Sequence, residues 1–68
     1  MEDMLNTMKE TAAILKSNVA YVQNLRKAGL LKVLKLGSYK VRKSELERFL
    51  KTYEGYDLTD PYNIKELE

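Results

Sequence analysis

Two helix starts stand close together near the head of this chain, at Thr7 and at Asn18, and that spacing leaves few folds open. Thr7-Met8-Lys9-Glu10 is a capping box. The threonine hydroxyl accepts from the backbone N–H three residues on, and the glutamate reaches back to the threonine N–H. A helix should follow through Thr11-Ala12-Ala13-Ile14-Leu15, with Met8, Ala12 and Leu15 on one face. Lys16-Ser17-Asn18 interrupts it. Ser17 and Asn18 are both good N-caps, so a second helix is expected over Val19–Ala28, with Val19, Val22 and Leu25 as its apolar stripe. Gly29 stands where a left-handed residue closes a helix. Two short helices joined by about three residues make a helix-turn-helix candidate.

The next stretch changes period. Leu30-Leu31-Lys32-Val33-Leu34-Lys35-Leu36 and Tyr39-Lys40-Val41-Arg42 are β-prone runs around Gly37-Ser38, which suits a two-residue type II′ hairpin. That register pairs Leu36 with Tyr39 and Leu34 with Val41 on a core face. It sets Lys35 opposite Lys40, and Val33 opposite Arg42, on the other. Facing lysines repel. Either an anionic partner relieves the repulsion or the long side chains splay into water and blunt the ribbon. Ser44-Glu45-Leu46-Glu47 reads as a second capping box, with a third helix from Glu45 to about Tyr53 and Leu46, Phe49 and Leu50 facing the core. Gly55 should end it. The expected organisation is one domain over residues 1–55 and an acidic tail over 56–68. Asp60-Pro61 either starts a short helix there or the tail stays disordered.

Charge follows the same division. The net charge is +2, yet Lys9 to Lys51 holds eleven Lys/Arg against three acids, or +8. Residues 1–8 carry −2 and residues 52–68 carry −4. A basic middle between acidic ends points to an anionic partner for the middle, or else to an ordinary solvated surface. The chain has no cysteine and no histidine, so disulfides, thiolate metal sites and the commonest general base are excluded. No Gly-rich phosphate loop or paired-acid motif appears, which argues against an enzyme. No apolar run of about 18 residues could span a membrane. Met1-Glu2-Asp3-Met4 lacks the features of a signal peptide, and the expected location is cytoplasmic.

The stretch Thr7 to Leu50 resembles the excisionase-like, MerR-related winged helix-turn-helix domains. The family pattern T-x-K-E-A-A-x-x-L is matched by Thr7-Met8-Lys9-Glu10-Thr11-Ala12-Ala13-Ile14-Leu15. Its second helix is matched by Asn18 to Leu31, its wing by Leu36-Gly37-Ser38-Tyr39-Lys40-Val41, and its last helix by Ser44-Glu45-Leu46-Glu47-Arg48-Phe49-Leu50. Three departures stand out. The family's tyrosine-arginine pair is Gln23-Asn24, the proline after the wing is Arg42, and the wing tip is one residue shorter. The resemblance implies a mostly α fold with a two-stranded β-hairpin wing, a winged helix-turn-helix. It implies double-stranded DNA as the partner, no catalysis and no cofactor.

On such a fold the second helix enters the major groove. The candidate contacts there are Asn18, Ala20, Tyr21, Gln23, Asn24, Arg26 and Lys27. Glutamine and asparagine can each bond adenine bidentately. Arg26 and Lys27 suit phosphates. Tyr21 either donates to a phosphate or braces the turn as a half-buried residue. The wing offers Lys35, Ser38, Lys40 and Arg42. Small stand-alone members of this family act as phage or transposon excisionases, which bind and bend attachment-site DNA beside an integrase, or as regulators of mobile elements. Further copies on DNA are expected, because one unit reads few base pairs. A protein-interaction module without DNA binding is the alternative from another class.

Overall fold

A computed structural model describes residues 4–67. The acids Glu2, Asp3 and Glu68 of the two end segments lie outside the described residues. The chain runs through β1 (Leu5–Thr7), α1 (Met8–Ile14), α2 (Val19–Lys27), β2 (Leu34–Leu36), β3 (Ser38–Arg42), α3 (Lys43–Thr52), β4 (Tyr56–Asp57) and β5 (Lys65–Glu66).

Both expected helix starts form. Thr7 Oγ1 accepts from Glu10 N–H at 3.0 Å, and Glu10 Oε1 accepts from Thr7 N–H at 2.8 Å. Asn18 Oδ1 accepts from Tyr21 N–H at 2.8 Å. At the other end of α2, Gly29 takes a φ of 81°. Its N–H reaches the Arg26 carbonyl and that of Leu30 reaches Leu25, each at 3.0 Å. This is the Schellman closure, which uses up carbonyls the helix end would otherwise leave bare. The core gathers Met8, Ala12, Val22, Leu25, Leu31, Val41, Leu46 and Phe49. Val22 and Leu25 are fully buried, and each such side chain contributes roughly 1.5–3 kcal/mol. Val19 and Leu50, expected in that core, are exposed. Val19 projects past the core at the tip of α2. The inward face of α3 runs instead through Leu46, Phe49 and the half-buried Tyr53.

The wing departs from expectation in register. Leu34 lies opposite Lys40, Lys35 opposite Tyr39 and Leu36 opposite Ser38, with Gly37 alone at the tip at a φ of 80°. The expected Leu36–Tyr39, Leu34–Val41, Lys35–Lys40 and Val33–Arg42 pairs do not form. A slip of one residue exchanges the two faces. Val41 and Tyr39 face inward, while Leu34 and Leu36 are exposed. Leu31 and Val33 take their place against the core. The single-residue tip sets this register, and a strand that no sequence signal marked lies on the other edge of β3. β1 pairs antiparallel with β3, Asn6 opposite Val41 and Thr7 opposite Lys40, giving the sheet order β1-β3-β2.

The second capping box does not form either. β3 runs directly into α3, Arg42 occupies the cap position without a side-chain bond to the helix's first turn, and Ser44 falls inside that turn. The Lys43 N–H donates instead to the Met4 carbonyl at 2.8 Å. After α3, the acidic segment forms neither the short helix nor the disordered tail. β4 and β5 pair as a hairpin, Tyr56 opposite Glu66 and Asp57 opposite Lys65. Leu58 packs on the core and Pro61 is buried.

Candidate functional site

The helix α2 and the wing are joined by one aromatic ring. The Arg26 guanidinium lies over Tyr39, 4.5 Å from the ring centre, and Lys35 Nζ approaches the same ring at 4.9 Å. The ring's negative face attracts both cations. Arg26 Nε also donates to Gln23 Oε1 at 2.9 Å. Four side chains, two from α2 and one from each strand of the hairpin, thus form a single contact unit.

Beside this unit opens a groove of about 360 Å³, lined by Thr7, Met8, Lys9, Gln23, Lys35, Gly37, Ser38 and Tyr39. Two of the lining residues are lysines and none is acidic. Lys40 Nζ donates to Ser38 Oγ at 2.6 Å on the outward side of the wing. Because of the register, Lys35 and Lys40 point to opposite sides of the ribbon rather than standing opposite each other. Ala20 and Lys27 are exposed on α2, and Asn18 spends its carbonyl oxygen on the cap. Asn24 is half-buried.

Two candidates are placed elsewhere. The Tyr21 hydroxyl donates to the Leu58 carbonyl and ties α2 to the C-terminal hairpin. Burial, and then the nearby Asp57 carboxylate, push its phenol above the usual range. The ring therefore braces the fold, and its proton is committed inside the molecule. Arg42 lies at the base of the wing and lines a separate groove with Lys32, Val33, Leu34, Ser44 and Glu45. Lys9 and Tyr39 are the site residues that sequence reasoning missed. The one available signal for Lys9 was its place in the first turn after Thr7, which the β1–β3 pairing sets beside the wing.

The link between α2 and the wing is held from below. Glu45 Oε2 accepts from Lys32 N–H at 3.0 Å, and Arg48 Nη2 donates to the Leu30 carbonyl at 3.1 Å. The two side chains bond each other at 2.6 Å. The Arg48 bond, helped by the Lys32 N–H, holds the Glu45 carboxyl below its ordinary range against the opposing effect of burial.

Among the described residues no cluster of three or more His, Cys, Asp or Glu side chains could hold a metal, and no helix is long and apolar enough to cross a membrane. What the site offers is a set of hydrogen-bond donors and cations on a helix and a ribbon. A family model described as a helix-turn-helix domain matches residues 7–53. No curated protein and no solved structure matches the chain.

Proposed function

Since the chain belongs to the helix-turn-helix domain family, whose domains support sequence-specific DNA binding and which includes excisionase-like small DNA-binding proteins, we propose that it is the excisionase of a phage or mobile element. In this role it binds and bends attachment-site DNA and favours excision by an integrase. The observation that carries the DNA face is the joined unit of Gln23, Arg26, Lys35 and Tyr39 beside a groove without acids.

In the proposed complex α2 lies in the major groove. Gln23, Asn24 and Arg26 meet base edges, while Asn18, Ala20 and Lys27 flank them. Lys35, Ser38 and Lys40 meet the backbone beside the wing, and Arg42 meets phosphate farther along its base. Tyr21 supports α2 from behind. The wing, with its single-residue tip, adds affinity that does not depend on sequence. The acidic C-terminal hairpin is the proposed contact for the integrase or for a neighbouring copy. The working compartment is the bacterial cytoplasm.

Footprinting across a candidate attachment site, combined with an excision assay containing the integrase, tests this. Protection of that site and stimulated excision are the expected result. Protection confined to the promoter of the protein's own gene would assign it to transcriptional regulation instead. Absence of binding to any duplex at low salt would leave a protein-docking module. The wing has its own check. Lys40→Ala should weaken binding to all sequences and reduce the salt slope by about one unit. An unchanged slope would remove Lys40 from the interface.

A further inference from the structure

The bond between Arg26 and Gln23 changes what α2 can read. An arginine Nε–H only donates, so the group facing it at 2.9 Å must be the Gln23 carbonyl oxygen. The orientation of the Gln23 amide is therefore set by chemistry, with its NH₂ turned away from Arg26. The arginine is itself held, because its guanidinium lies over Tyr39 and Lys35 shares the ring.

Adenine shows the major groove one donor and one acceptor, so reading it with an amide requires both the oxygen and the nitrogen. Gln23 has committed its oxygen. What the pair leaves without a hydrogen bond among the described residues is the Gln23 NH₂ together with the terminal nitrogens of Arg26, and all of these donate. Guanine is the one base that shows two acceptors, O6 and N7, in the major groove. Asn24 differs. It sits one residue along α2, and its amide is held by no hydrogen bond among the described residues.

Building on the DNA-binding reading above, we infer that Gln23 and Arg26 act as one guanine-reading unit, while Asn24 keeps the adenine-reading amide at a neighbouring position. Arg26 has two tasks in this unit. It donates to the base, and it withholds the Gln23 carbonyl from adenine.

Selection of bound duplexes from a randomised pool tests this, using the full chain and the variants Arg26→Ala and Gln23→Leu, each checked for folding by circular dichroism. The wild type should select guanine over adenine by about tenfold at one position, the order expected of a bidentate contact. Arg26→Ala frees the Gln23 carbonyl, so the preference at that position should move from guanine to adenine. Gln23→Leu leaves Arg26 in place and should flatten the guanine preference while the neighbouring adenine persists. If Arg26→Ala fails to fold, Gln23→Leu decides. The inference is overturned if the wild type selects adenine at the position that responds to Gln23. It is also overturned if either variant weakens all sequences equally with the base preference intact. A wild type that binds no duplex would overturn the DNA-binding reading itself, a result distinct from a wrong base.

Discussion

The helix α2 and the wing stand side by side at the site but are held in different ways. α2 closes itself at both ends, with Asn18 capping its first turn and Gly29 closing its last. Its buried face, Val22 and Leu25, lies within the core. The wing has no such self-sufficiency. Its inner strand is paired by β1, its inward ring is held by Arg26, and its root is clamped by Glu45 and Arg48. A helix closed by its own ends is disturbed only when the whole domain is disturbed. A ribbon held by its neighbours can loosen while the domain stands.

The largest effect should come from the core of α2. Leu25→Ala removes a fully buried side chain, at a cost of about 2–5 kcal/mol. A domain this small has only roughly 3–5 kcal/mol in hand, so denaturant titration followed by circular dichroism should find the variant largely unfolded. A small, local change would break the contrast. Next comes the tip of the wing. A side chain at Gly37, at a φ of 80°, is strained by roughly 1–2 kcal/mol. With no atom near enough to clash with a new Cβ, Gly37→Ala should shift amide resonances in β2 and β3 and leave those of α2 in place.

Asn18→Ala loses the cap bond, worth about 1 kcal/mol. In contrast to Gly37→Ala, it should lower the melting temperature of the whole domain, by about 4–8 °C. The smallest effect belongs to Glu45. Its lowered folded pKa means that its contribution is complete above the ordinary glutamate range and is lost as pH falls through the lowered value. Arg48 is 44% exposed, so the pair is worth under about 1 kcal/mol. Acidification should lower the protection of the Lys32 amide, its exchange rate taken relative to an unprotected amide at the same pH, before the core opens. Glu45→Gln should remove that pH step.

The same difference explains what could be read from the sequence. Helix ends are set by residues three or four positions apart, so Thr7, Glu10, Asn18 and Gly29 announced them. The wing closes through a one-residue tip where Gly37-Ser38 suggested two, and it is paired by Leu5–Thr7, a strand of three residues lacking turn signals or a long alternation. Ser44 and Glu47 carried a valid capping pattern, but the Met4 carbonyl took the Lys43 N–H and the helix began earlier. In the C-terminal hairpin the anchors are Leu58 and Pro61, scattered among polar residues. At the site, Gln23, Arg26, Lys35 and Ser38 were legible as polar positions off the apolar stripe, though Gln23 and Arg26 are half-buried. Their joining through Tyr39 was not, since that ring lies thirteen residues beyond Arg26 and the expected register paired it with Leu36.

The bond from Tyr21 to Leu58 also bears on how this molecule could be borrowed. Residues 7–53, the stretch matched by the family model, are the obvious piece to cut out as a portable domain. That cut removes Leu58, which packs on the core, together with the buried Pro61, and leaves the Tyr21 hydroxyl without its carbonyl. It also removes Leu5 and Asn6, two of the three β1 residues paired with β3. A transferable piece needs β1 and the C-terminal hairpin as well, because α2 and the wing are braced from outside the matched stretch.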